Sequence, residues 1–227
     1  MLQNFIDIIA APVAVIARLR DKPSVWLPFV LLITLQMSIT LGYFAHNDIG
    51  FIRDQAIAQQ VQSREMTREQ RQQIEQALGK LGLGALSGIS LAALLIIIPV
   101  VLCLNAWYLS FMGKFSFTEL SFKHWLSLLC WTSIPALFAA LAAWLVLLTN
   151  DNGQVSQLEL QPLSIASLLG YSLKSQTLQS LNLAQLWSLG LLALGYSNWT
   201  KAGLFKSILI TTAPYIVIYG AIAYFTL

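Results

Sequence analysis

Residues Leu83–Met112 read LGALSGISLAALLIIIPVVLCLNAWYLSFM, and residues Trp125–Leu148 read WLSLLCWTSIPALFAALAAWLVLL. Neither run contains Asp, Glu, Lys or Arg, and each exceeds the roughly 20 apolar residues that cross a bilayer as helix. The polar turn between them, Gly113–Lys123, reads GKFSFTELSFK. In hydrocarbon every backbone N–H and C=O must be satisfied internally, so an apolar hairpin of this length is helical. The expected fold class is therefore all-α, a polytopic membrane helical bundle built around this hairpin.

Composition agrees. The 227 residues are 57% hydrophobic and 10% charged, against about 25% charged in an average soluble domain. The length suits one membrane domain over 1–227. A net charge of +3 without dense basic clusters gives no support for a nucleic-acid partner. Cys103 and Cys130 both fall inside apolar runs, where they read as small buried residues and not as a disulfide or zinc site.

Working outward, Leu83–Met112 is about 45 Å long as helix, so it must tilt, kink at Pro99 or protrude. Gly84 and Gly88 have the small-xxx-small spacing that lets another helix approach closely. In the following span, Pro135 frees a carbonyl near Trp131, which hydroxyls or packed neighbours must satisfy. Three further spans are expected, over about 26–45, 180–198 and 204–227, besides 83–112 and 125–148. The run Leu183–Tyr196 is short, and Lys174, Gln176 and Gln179 mark the polar stretch before it, in which a mildly amphipathic segment covers Pro162–Leu173. Pro214 marks an expected kink in the last span.

Upstream of the hairpin, 46–82 holds five basic and five acidic residues. Thr67 and Gln70 have capping-box spacing, and Arg71 and Glu75 are four apart, so an outer helical loop is expected here. Residues 1–24 form an amphipathic helical segment: Phe5, Ile9, Pro12, Ile16 and Leu19 share one face, suited to the membrane interface. Pro12 either starts a second short helix or kinks a longer one. Arg18, Arg20 and Lys22 follow, then Pro23, and Trp26 and Pro28 open the first span.

Basic residues set orientation. A cytoplasmic N-terminus puts Arg18, Arg20, Lys22, Lys114, Lys123, Lys201 and Lys206 inside and the C-terminus outside; the five basic residues of the 46–82 loop oppose this, with a weight reduced by the loop's length.

Chemistry is sparse. The histidines, His46 and His124, lie near predicted membrane edges and form no zinc motif. Ser87 beside Gly88 has no histidine within a predicted span to act as base. No phosphate-binding glycine loop with lysine is present, so neither catalysis nor a cofactor or metal site is expected. Gln36, Asn105, Thr132 and Ser133 are the residues available to line a path for a neutral or weakly polar solute. Asn105 also lies shallow enough to find water or backbone partners.

Three sets of residues carry a resemblance. Pro12, Ile16, Leu19, Arg20, Pro23, Trp26, Leu27 and Pro28 form the first. Gly113-Lys-Phe-Ser-Phe117, then Trp131, Thr132, Ser133 and Pro135, form the second. Leu186, Trp187, Gly195 and Lys201-Ala202 form the third. In this order they resemble the Yip family (Ypt/Rab-GTPase-interacting membrane proteins) in its short bacterial form, with Ile16 where Phe is usual and Trp131 in place of a tyrosine pattern. The resemblance implies five spans, a cytoplasmic N-terminus and a bacterial inner membrane. It further implies a non-catalytic scaffold or adaptor whose partners are the lipid bilayer, other membrane proteins or a second copy. Rab binding is not carried over, because no long cytoplasmic segment precedes the bundle. A transporter or channel for a small neutral solute is the alternative.

Overall fold

The computed structural model describes residues 3–63, 67–150, 152–170 and 181–226, and they are helical throughout, joined by turns and one isolated bridge between Ser164 and Asn182. The elements are α1 Gln3–Ala10, α2 Pro12–Asp21, α3 Trp26–His46, α4 Ile49–Ser63, α5 Arg68–Lys80, α6 Leu83–Lys114, α7 Phe122–Thr132, α8 Ala136–Thr149, α9 Ile165–Leu168, α10 Leu183–Thr200 and α11 Leu204–Thr226. Three stretches are long and apolar enough to cross a membrane: Trp26–His46, Leu83–Lys114 and Phe122–Thr149. Leu204–Ile218 is a shorter apolar helix.

Local chemistry explains most boundaries. Pro12 sits in the first turn of α2, so the chain starts a second helix there and does not kink one. Thr67 and Gln70 close the capping box at the start of α5, and Arg71 pairs with Glu75 at 3.0 Å. Asn182 accepts the Gln185 N–H at 2.7 Å and opens α10. The described part of the segment expected over Pro162–Leu173, residues 162–170, holds one helical turn at Ile165–Leu168; residues 171–173, like Lys174, Gln176 and Gln179, lie outside the described residues.

The third apolar run departs from one kinked helix. It breaks into α7 and α8 at Ser133–Pro135, and Pro135 becomes the N-cap of α8. The Trp131 carbonyl freed by the proline accepts the Ile134 N–H at 3.2 Å. Thr132 and Ser133 hydroxyls donate back to Leu128 and Leu129 carbonyls, so the break exposes little unsatisfied backbone. By contrast, α6 runs unbroken through Pro99.

Burial concentrates at one end. The main core gathers Ile8, Val15, Ile16 and Leu19 of α1 and α2, Leu109 of α6, Trp125, Leu128 and Trp131 of α7, and Leu191, Tyr196 and Trp199 of α10. The N-terminal segment is thus part of the core and not merely a strip on the membrane interface. Of the face expected, Ile16 and Leu19 are buried and Phe5 packs on the core, while in α1 the burial turns from Ile9, which is exposed, to Ile8, and Val15 is buried as well. Helix α6 is peripheral. None of its residues from 83 to 105 is buried, and Cys103 is exposed where a buried residue was expected. Cys130 is buried in α7.

Candidate functional site

The end of the bundle that carries Arg20, Lys22, Lys114, Lys123 and Lys201 is held by long-range contacts to the N-terminal segment. Pro23 ends the exit from α2, and the next residue, Ser24, is clamped to α7. Its N–H donates to Ser127 Oγ at 3.1 Å, and Ser127 Oγ donates to the Ser24 carbonyl at 2.9 Å. Trp131 Nε1 donates to the same carbonyl at 2.9 Å. Phe5 lies against the Trp131 ring with centroids 4.9 Å apart, and Trp199 Nε1 donates to the Ile16 carbonyl at 3.0 Å. Beside this clamp, Trp125 packs on Tyr196 and Trp199, with centroids 5.5 Å away in each case.

Two glycines make that packing possible. A Cβ on Gly113 would lie 2.6 Å from the Trp125 ring, and one on Gly195 would lie 2.5 Å from Leu128. Gly42 plays the same part in α3 under Trp144. Gly84 and Gly88 are different: a Cβ at either would meet nothing within 4 Å. Among the described residues, therefore, that spacing serves no contact inside the chain.

At the α7–α8 break a cavity of about 230 Å³ opens, lined by Thr132, Ser133, Asn182, Gln185, Ser188 and Tyr215 among apolar residues. Thr132 and Ser133 spend their hydroxyl protons on their own helix, so they present acceptor lone pairs to the space. Among the described residues the polar part of the lining is hydroxyls and amides, which suits hydrogen bonding to a neutral solute. Among the described residues no group of His, Cys, Asp and Glu is arranged to hold a metal.

The remaining sequence candidates are dispersed. Gln36 lies exposed on α3, and Asn105 Nδ2 donates to the Val101 carbonyl of its own helix at 2.9 Å; neither joins the cavity. Trp187 stacks on Phe138 with centroids 5.6 Å apart. Pro28 and Pro135 are buried, Arg20 is exposed, and Trp26 is 77% exposed at the start of α3. Sequence reasoning missed Ser24, Ser127, Gly42, Asn182 and Ser188. Asn182 did carry a signal, the N-cap spacing to Gln185. The two serines had none, since isolated serines give no hint of a partner a hundred residues away.

Three long apolar stretches, Trp26–His46, Leu83–Lys114 and Phe122–Thr149, and a core gathered at one end define a helical integral membrane protein. The Yip1 domain pattern matches residues 6–225, nearly the whole chain, with its N-terminal clamp, hairpin and last two helices. The chain belongs to the Yip1 domain family. No curated protein and no solved structure gives a significant match.

Proposed function

We propose that the protein is a non-catalytic scaffold or adaptor of the bacterial inner membrane, crossing it five times with α3, α6, α7–α8, α10 and α11. Its N-terminus is cytoplasmic and its C-terminus is outside, the arrangement that gathers Arg20, Lys22, Lys114, Lys123, Lys201 and Lys206 on the inner side. The observation that carries the adaptor role is the state of α6. From 83 to 105 it buries no residue, and it holds the Gly84–Gly88 spacing open to its surroundings. In a bilayer, close approach of a partner helix is favoured at such small residues by packing and not by expulsion of water.

The test is in-cell photocrosslinking from Ile89 and Ile97, with mass spectrometry of the products. A discrete partner, lost in the Gly84→Leu, Gly88→Leu double variant, is the expected result. Crosslinks to lipid alone would remove the basis for the role.

One observation favours a second reading as a carrier of a small neutral solute: the cavity at Thr132 and Ser133, in which hydroxyls and amides are set among leucines and alanines. Flux in proteoliposomes that falls in Ser133→Val and Gln185→Leu variants would select it over the adaptor.

A further inference from the structure

A second concavity lies beside the start of α7, at the basic end. It is a groove of about 580 Å³ between the α2–α3 connection, the middle of α6 and the start of α7, within the range of roughly 300–1,000 Å³ typical of ligand sites. Its walls include Leu27, Phe29, Pro99, Leu102 and Leu126, all apolar, with Trp26 at its margin. Lys123 is the one charged residue in the lining, and Lys22 immediately precedes Pro23 at its edge.

We propose that this groove holds one anionic phospholipid, an acyl chain lying on the apolar wall and the phosphate at the Lys123 ammonium. Three observations lead there. The walls belong to apolar membrane helices: Pro99 and Leu102 of α6 are only half-buried, Cys103 is exposed, and the flanking Val100, Val101 and Leu104 face outward, so the groove opens to the bilayer side and an acyl chain enters without crossing water. Lys123 and Lys22 make no ion pair among the described residues; the pairs that exist are Arg18–Asp7 and Arg71–Glu75. An ammonium at the mouth of an apolar groove is complementary to a molecule with an anionic head and an apolar tail, and to neither part alone. Finally, the connection that forms one wall is held in place by the Ser24–Ser127 and Ser24–Trp131 hydrogen bonds, so the groove is preformed. Basic pockets between membrane helices are suited to lipid headgroups in this way. The inference does not depend on the adaptor role.

The test uses the full chain in phosphatidylcholine vesicles and brominated-acyl lipids as quenchers. Trp26 reports the groove, its contribution being the difference between wild type and Trp26→Phe, and Trp107, 65% exposed on α6 and outside the lining, reports bulk lipid. Brominated phosphatidylglycerol should quench Trp26 at about one-fifth the mole fraction needed with brominated phosphatidylcholine, as one near-surface lysine confers. Trp107 should show no such preference. Lys123→Gln should bring the Trp26 ratio to one, and Lys123→Arg should keep it. Equal quenching by both lipids in wild type, or a preference unchanged by Lys123→Gln, overturns the proposal. So does loss of the preference in inorganic phosphate at constant ionic strength, which would make the occupant a free anion. Shielding of Trp26 from both lipids that grows with protein density in the membrane would make it a second copy, and overturns it as well.

Discussion

Ser24 and Ser127 are 103 residues apart in the chain and exchange two hydrogen bonds, N–H to Oγ and Oγ–H to carbonyl. Through them the connection between α2 and α3 is fixed to α7, and the N-terminal helices are locked under the membrane hairpin. Ser127 is fully buried, so no water replaces it when its hydroxyl is removed.

Ser127→Ala should therefore leave the Ser24 N–H without a partner and lower stability by about 1–3 kcal/mol, the cost of an orphaned donor. Trp199→Phe removes a bond to the Ile16 carbonyl, which sits within α2 and keeps its helical donor. That change should cost about 0.5–1.5 kcal/mol. Equilibrium unfolding of the purified protein in mixed micelles measures both. The smaller ring of Trp199→Phe also leaves a cavity beside Trp125, which adds to its cost. It is therefore a Ser127→Ala cost below about 1 kcal/mol that would mean that the clamp at Ser24 is not especially constrained.

Glycine positions separate inner from outer contacts. In Gly195→Ala the new methyl meets Leu128, fully buried and unable to retreat, and overpacking of this kind costs about 1–3 kcal/mol. Gly113→Ala should behave likewise against Trp125. Gly84→Ala and Gly88→Ala meet open space and, by helix propensity, should be neutral or stabilising by up to about 1 kcal/mol. Thermal denaturation of the four variants under one set of conditions checks the order.

Lys201 follows α10 at φ 59°, in the left-handed region where a side chain is strained. Lys201→Gly should relieve roughly 1 kcal/mol of that strain, less what the freer unfolded chain takes back. A higher midpoint in the same thermal assay is expected. A lower one would mean that the lysine side chain contributes more than its backbone costs.

The outer helix α5 depends on its cap. Thr67 Oγ1 accepts the Gln70 N–H, and the Gln70 side chain accepts the Thr67 N–H at 3.1 Å. Thr67→Ala should cost about 1 kcal/mol locally, read as roughly fivefold faster amide exchange in the first turn. The Arg71–Glu75 pair is exposed and screened, so Glu75→Gln should change exchange much less.

The Yip resemblance rests on motifs that the structure uses in different ways. Pro12 starts a helix and Pro135 caps one, both from backbone chemistry contained in a few residues. Gly113 and Gly195 admit Trp125 and Leu128, contacts that appear only when separate helices are brought together. Thr132 and Ser133 line a cavity, whereas Gln36 and Asn105, equally polar in the sequence, do not. Hydropathy measures what a residue is, and says little about which way a lipid-bathed helix turns it.

The sequence alone determined that this chain is helical and membrane-embedded, where the long apolar helices begin, and how α5 starts, and it narrowed Pro12 to two alternatives of which the structure chose one. Each of these follows from interactions within about one helical turn or from the transfer of an uncharged run into lipid. Tertiary structure alone decided that α1 and α2 enter the core, that Gly84 and Gly88 remain open, and that Ser24 meets Ser127. In a membrane bundle nearly every helix face is apolar, so the hydrophobic pattern does not distinguish protein-facing from lipid-facing sides. Close packing and a few long-range hydrogen bonds make that choice, and they come from residues that are distant in the chain.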